Sequence, residues 1–139
     1  MKRVFLDTNI LLDYVLGREH GDDAEQLLQY GRNGEVRLLA SYLTFANMAY
    51  VLKGKVDVYG FFRDLHIFIT VLPTDDAQLL AAMAIRVRDF EDMLQYQCAK
   101  AGGCDVIVTN NGRDFAEFSE LPLMNASEFL SSELIFDED

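Results

Sequence analysis

The sequence contains few basic residues and no tryptophan. Of its 139 residues, 12 are Lys or Arg and 23 are Asp or Glu, which gives a formal net charge of -11. This balance argues against a general nucleic-acid-binding protein, because such proteins need a basic surface to release counterions from phosphate. It does not exclude a nuclease, since bound cations would offset several of the acids. An acidic surface that simply favours solubility explains the charge as well.

Cysteine and proline are also scarce, with two of each. Cys98 and Cys104 have no second pair and no nearby histidine, so we expect free thiols in a reducing cytoplasm rather than a zinc site. No apolar run is long enough to span a bilayer, and the segment before Asp7 is too short for the apolar part of a signal peptide. Without repeats or low-complexity tracts, the chain is expected to form one domain over residues 1–139.

Short apolar runs alternate with amphipathic stretches along the chain. Strands are predicted at 3–6, 36–40, 67–72, 105–109 and 123–124. Helices are predicted at 10–16 after a cap at Thr8 or Asn9, at 22–30, at 45–52 after Ser41 or Thr44, and at 58–65, 77–87, 90–101 and 126–130. The alternation and the continuous apolar strands predict an α/β fold, a three-layer α/β/α sandwich with a mainly parallel sheet.

Carboxylates follow the ends of predicted strands or open a helix nearby. Asp7 comes directly after the first strand, Asp114 follows the fourth, and Asp89, Glu91 and Asp92 open the helix at 90–101. In open parallel sheets, ligand sites gather beyond the carboxyl ends of the strands. Carboxylates that are brought together need a cation or a proton to coexist, so the pattern predicts a divalent-metal site.

The predicted ligand chemistry suits phosphodiester hydrolysis. Asp7, Asp92 and Asp114 are the expected core ligands, and an all-oxygen set favours Mg²⁺ or Mn²⁺. Two such ions about 3.5–4 Å apart can activate a water and stabilise the leaving oxygen. Asp89 could be a further ligand, and either Asp89 or Glu91 could orient the attacking water.

Polar residues beside these acids have predicted roles too. Thr109 and Asn111 would position the loop after the fourth strand or hold a scissile phosphate, and Asn9 would hold the Asp7 loop. A haloacid-dehalogenase-type phosphatase also begins with a strand-end Asp. That class needs a second Asp two residues later, where Asn9 stands here.

Every acidic candidate has a purely structural alternative. Asp7 could cap the following helix, Glu91 and Asp92 could serve a helix dipole, and Asp114 could cap a turn at 115–118. The functional interpretation depends on their conjunction, because independent caps would not be expected to fall together at several strand ends.

Three segments, in order, resemble the motifs of PIN-domain ribonucleases, a family that includes VapC-like toxins. These segments are Phe-Leu-Asp-Thr-Asn-Ile-Leu-Leu-Asp at 5–13, Asp-Phe-Glu-Asp-Met-Leu-Gln-Tyr at 89–96, and Ile-Val-Thr-Asn-Asn-Gly-Arg-Asp-Phe at 107–115. The resemblance covers nearly the whole chain and marks Asp7 as a metal ligand. It implies a PIN-like fold, metal-dependent RNA cleavage, a homodimer, and a small antitoxin protein that blocks the site. Tyr59, Phe61 and Phe62 could form dimer contacts, or they could pack in the core.

One position departs from the family pattern. PIN proteins usually have a glutamate in the helix after the second strand, and Asn47 stands there, as in a subset of bacterial members. An amide oxygen can bind a hard cation but brings no charge, so Asn47 is either a weaker ligand or an ordinary helix residue. This departure keeps open an alternative function, a catalytically weakened PIN module that binds RNA or a protein partner without cutting.

Overall fold

A single five-stranded parallel sheet organises the computed structural model, which describes residues 1–132. Its strands are β1 (Arg3–Leu6), β2 (Arg37–Ser41), β3 (Ile69–Leu72), β4 (Val106–Val108) and β5 (Leu123–Met124). Their order is β3-β2-β1-β4-β5, and every pairing is parallel. All carboxyl ends therefore meet at one edge, with β1 at the centre. Residues 133–139, which include the acidic end of the chain, lie outside the described residues.

Helices cover both faces of this sheet. Residues 1–132 form α1 (Thr8–Val15), α2 (Gly21–Arg32), α3 (Tyr42–Leu52), α4 (Val58–His66), α5 (Asp76–Met83), α6 (Phe90–Ala101), α7 (Gly112–Ala116) and α8 (Ala126–Ser131). Val4 and Leu6 pack with α1 to α4 and α8, whereas Phe5 faces α5, α6 and α7. This alternation is expected of a strand that is buried on both faces. The predicted three-layer α/β/α sandwich is confirmed.

Several predicted boundaries differ from the structure. The cap of α1 is Asp7, not Thr8 or Asn9. β3 begins at Ile69 rather than at 67, because Ile67 is the C-cap of α4 and is 83% exposed. α5 ends at Met83 rather than at 87, because residues 83–86 are all exposed and no packing supports another turn.

The structure also shows where the candidate dimer-contact aromatics and the two cysteines lie. Phe61 and Phe62 pack against the core and touch each other, with ring centroids 6.0 Å apart, whereas Tyr59 is 72% exposed. Cys98 and Cys104 are free and buried, as expected. None of the helices within residues 1–132 is long and apolar enough to cross a membrane.

Candidate metal centre

At the carboxyl edge of the sheet lies an open pocket of about 360 Å³. Its walls contain all five predicted carboxylates: Asp7 from the end of β1, Asp89, Glu91 and Asp92 from the start of α6, and Asp114 from α7. β1 pairs directly with β4, and this pairing brings the loop before α7 next to Asp7. Residues far apart in sequence are thus gathered at the edge where parallel α/β sheets bind ligands.

Uncharged side chains complete the pocket walls. Asn9, Asn47 and Asn111 line it, as predicted residues. It is also lined by Thr8, which was expected only as a possible helix cap, and by Leu12, Tyr50 and Val51, which were not singled out from the sequence. Tyr50 is 84% exposed and lies one helical turn after Asn47 on α3. The helical spacing from Asn47 was the signal that could have identified it.

The carboxyl group of Asp7 is held by hydrogen bonds on both oxygens. Thr8 donates its backbone N–H to Oδ1 at 2.9 Å, and the Thr109 hydroxyl donates to Oδ2 at 2.9 Å. Asp7 therefore caps α1 and also faces the pocket, so its two interpretations are compatible. Thr109 in turn accepts from the Asn111 backbone N–H at 3.0 Å and is almost fully buried. This favours loop positioning, rather than phosphate contact, for Thr109.

The acids at the start of α6 have distinct roles. Asp89 caps the helix, because its Oδ1 accepts the backbone N–H of Asp92 at 3.1 Å. The side chains of Glu91 and Asp92 are therefore free of the capping role. Glu91 Oε1 accepts a hydrogen bond from Asn47 Nδ2, which links α6 to α3 across the pocket.

Asp13 lies outside the pocket. It pairs with Arg18 at 3.7 Å, but it is buried rather than on the surface, and Asn110 Nδ2 donates to its second oxygen at 2.5 Å. These contacts join α1 to the loop after β4 beside the pocket.

Burial shifts the titration of Asp7. Removal from water raises the pKa of this carboxyl above its usual value, the hydrogen bonds from Thr109 and Thr8 lower it in part, and the charges of Glu91 and Asp89 raise it again. The charged form is thus disfavoured by the surroundings unless a positive charge is close.

Asp92 shows the same effect from a half-buried position. Burial, followed in decreasing order by the charges of Asp89, Asp7, Asp114 and Glu91, raises its pKa to about 7. None of the pocket-lining residues in the described part of the chain is Lys or Arg. The pocket therefore concentrates negative charge that a divalent cation would offset.

The donor set fits a hard cation in its chemistry, although the ligand shell is not closed. Carboxylate and amide oxygens are the ligands that Mg²⁺ and Mn²⁺ prefer. Within residues 1–132, no three Asp, Glu, His or Cys side chains are grouped closely enough to hold one ion. Carboxylates without a counter-charge repel one another, so cation binding would require their side chains to turn inward.

A parallel three-layer sandwich with an acidic pocket at the carboxyl edge of its sheet defines the class of this protein. Its family follows from comparison: the PIN domain family model matches residues 3–113, and the chain belongs to that family. The family predicted from the three acidic segments is confirmed. No curated protein matches the chain significantly.

Solved structures of VapBC proteins share the fold. A chain of VapBC2 from Rickettsia felis, solved bound to a DNA fragment from their promoter, aligns with a TM-score of 0.64 at 18% identity, covering 88% of this chain and 98% of that chain. A chain of VapBC-1 from nontypeable Haemophilus influenzae gives 0.59 at 20% identity, with coverage of 90% and 98%. A chain of DNA-bound VapBC from Salmonella typhimurium gives 0.58 at 20% identity, with coverage of 91% and 99%.

Proposed function

We propose that this PIN-domain protein is a divalent-metal-dependent endoribonuclease that hydrolyses RNA phosphodiester bonds. The observation that carries the proposal is the convergence of five carboxylates in one pocket, whose lining within the described part of the chain contains no Lys or Arg to neutralise them. The shared fold with VapBC proteins supports a toxin of a toxin–antitoxin pair as the biological setting.

Asp7, Asp92 and Asp114 would hold Mg²⁺ or Mn²⁺, with Asp89 and Asn47 as additional oxygen donors. A bound divalent cation would stabilise the leaving oxygen and lower the pKa of an attacking water. Asp7 suits the central position, because hydrogen bonds to both of its oxygens fix the orientation of its carboxyl plane. A ligand that is held in this way needs no rearrangement of its own at the moment of reaction.

The remaining pocket residues would act on the water and the substrate. Glu91 would orient the attacking water through the carboxylate oxygen that Asn47 does not bind. Asn9 and Asn111 can donate amide hydrogens to phosphate oxygens at the pocket mouth. Tyr50, exposed at the rim, offers a face on which an unpaired base can stack, which favours single-stranded RNA.

A cleavage assay on single-stranded RNA tests the proposal. Purified protein should cut the RNA when Mg²⁺ or Mn²⁺ is present, lose the activity in EDTA, and recover it when the cation is added back in excess. Cleavage that continues unchanged in EDTA, or no cleavage with either cation over a range of RNA sequences, would contradict the proposed function.

A weakened PIN module that binds RNA or a protein partner without cutting is the second candidate. Asn47 favours it, because a neutral amide stands where the family usually has a glutamate, and its Nδ2 is engaged with Glu91. Only Oδ1 of Asn47 is then left to reach a cation. This candidate would be supported if the wild-type protein binds RNA with the same affinity in EDTA and in Mn²⁺ and yields no cleavage product.

Asn47→Glu should bind Mn²⁺ more tightly than the wild type. A carboxylate in place of the amide adds a charge at contact distance from the cation, where the attraction is strong because water is scarce. Isothermal calorimetry with Mn²⁺ measures the change, and Asn47→Gln is the matched neutral control. An affinity that is unchanged or weaker in Asn47→Glu would place residue 47 outside the metal shell.

Partners and location are part of the same proposal. A small antitoxin would cover the pocket. It should be sought among small proteins encoded by a neighbouring open reading frame. A homodimer is supported by an exposed apolar surface on and after α5, formed by Leu79, Leu80, Met83 and Ile85. The buried free thiols are compatible with the cytoplasm.

A further inference from the structure

A buried network of uncharged polar side chains lies beneath the acidic pocket. It consists of Thr8, Ser41, Thr44 and Gln95, and Gln95 is only 1% exposed. Gln95 Nε2 donates to Thr44 Oγ1 at 2.9 Å, and Ser41 Oγ donates to Gln95 Oε1 at 2.5 Å. The Thr8 hydroxyl lies 3.1 Å from Thr44 Oγ1 and 3.4 Å from Gln95 Nε2.

The network joins the segments that carry the proposed ligands. Its members adjoin those ligands in sequence: Thr8 follows Asp7, Thr44 lies three residues before Asn47, and Gln95 lies three residues after Asp92. Ser41 also accepts the backbone N–H of Thr44 and so caps α3. The amide of Gln95 therefore connects α6 to the starts of both α1 and α3.

The presence of a glutamine at the buried position 95 has to be explained. A buried amide is unfavourable unless its donors and acceptor are paired, and an apolar side chain in α6 would avoid that requirement. The other side chains that α6 buries lie in the apolar core between the sheet and helices α5, α6 and α7; they are Met93, Tyr96, Cys98 and Ala99. Among the described residues, no buried side-chain polar atom lacks a hydrogen-bond partner, so the network is fully paired.

The carboxylates above the network supply the reason. Asp7 and Asp92 repel each other across the pocket, which tends to push the start of α6 away from the end of β1. Apolar contacts resist such a displacement, but they do not fix the orientation of the groups in contact. Hydrogen bonds between neutral groups restrain both distance and orientation, and they add no charge to the site.

We propose that Gln95 is a positioning residue for the metal centre. By bonding to Ser41, Thr44 and Thr8, it holds the carboxylates of α6 at the separation from Asp7 at which a divalent cation can bind between them. Supporting residues behind a ligand shell commonly change metal affinity by about 10–100-fold. This inference deepens the proposed function and rests on it.

The first test measures Mn²⁺ affinity by calorimetry for Gln95→Met, which keeps the side-chain length and removes the hydrogen bonds. Mn²⁺ binding should weaken by about 10–100-fold. Gln97→Met is the matched control, because Gln97 lies on the same helix and outside the pocket, and within residues 1–132 its side chain donates only to Met93 Sδ at 3.6 Å. This control should bind Mn²⁺ like the wild type. Equal affinity in the wild type and Gln95→Met would overturn the inference.

The second test uses a double-mutant cycle that needs neither metal nor RNA. In EDTA, at low salt and mildly alkaline pH, Gln95→Met should lower the Tm of the wild type more than it lowers the Tm of Asp92→Asn, because Asp92→Asn removes part of the repulsion. Added salt should shrink this difference, since it screens the charges. A purely structural glutamine would give the same Tm loss in both backgrounds at any salt, and that result would contradict the positioning role.

Two conservative variants of Thr44 test the same inference if Gln95→Met does not fold. Thr44→Val removes the hydroxyl that Gln95 and Thr8 both reach, whereas Thr44→Ser keeps it. Mn²⁺ affinity should fall in Thr44→Val and be largely restored in Thr44→Ser, and equal affinities in the two variants would count against the inference. If the wild type binds no Mn²⁺, the proposed function fails, and the cycle in EDTA still decides the role of Gln95.

Discussion

Asp7→Asn should abolish RNA cleavage, lowering the rate by at least about 10³-fold, because a metal centre contributes several kcal/mol to transition-state stabilisation. Asn has the same shape as Asp, so its amide oxygen can still accept from the Thr8 N–H and its amide group can still meet the Thr109 hydroxyl. The substitution also replaces a buried carboxyl group, whose pKa is raised, by a neutral amide. Because no buried charge is then left at this position, the fold should be retained.

The measurement is initial-rate cleavage of single-stranded RNA in Mn²⁺, with circular dichroism to verify the fold. Asp105→Asn is a suitable control, because Asp105 lies at the opposite edge of the sheet, where it accepts the Arg3 N–H at 2.8 Å. This control should cleave at the wild-type rate. If Asp7→Asn cleaves as fast as the wild type in a preparation free of contaminating nuclease, the site is assigned wrongly.

Asp92→Asn should melt at a higher temperature than the wild type in EDTA at and above neutral pH. The pKa of Asp92 is about 7 in the folded protein, above that of an unfolded Asp near 4. The stabilising contribution of this group is thus complete below pH 4 and is lost as the pH rises through about 7. Because Asp92 is only half-buried, solvent screening limits the gain from its removal to about 1–2 kcal/mol, or several degrees in Tm.

Thermal melts across this pH range, with and without Mn²⁺, check the prediction. The advantage of Asp92→Asn should vanish towards pH 4, and Mn²⁺ should raise its Tm less than that of the wild type, because it binds the cation more weakly. Asp76→Asn is the control for a helix-dipole role, since Asp76 is an exposed acid in the first turn of α5. Lower stability of Asp92→Asn in EDTA, with an undiminished Mn²⁺ response, would make Asp92 a structural residue.

The fold class and the gathering of the acids could be predicted because both depend on local patterns. Apolar runs at Val4 to Leu6 and Val106 to Val108 identify strands, and parallel pairing then brings whatever follows them to one edge. The end of α5 could not be predicted in this way. Ile85 continues the apolar pattern, but only the folded structure shows that no element within residues 1–132 covers it.

The role of Gln95 depends on contacts that no local pattern contains. By residue type, a glutamine in a helix is expected at the surface. Its partners Ser41, Thr44 and Thr8 are 54, 51 and 87 positions away in sequence. The same limit applies to the bond between Asn47 and Glu91, which are 44 positions apart. Pairing over such distances follows from packing rather than from spacing along the chain.

The position of β1 at the centre of the sheet has a consequence for biosynthesis. Asp7 is synthesised before the hydroxyl that holds its second oxygen, because that hydroxyl belongs to Thr109, 102 positions later. A growing polypeptide therefore carries Asp7 long before β4 and α7 have left the ribosome. If the pocket cleaves RNA, the nascent chain stays harmless to the message and the ribosome that are producing it until β4 and α7 have emerged and folded against β1.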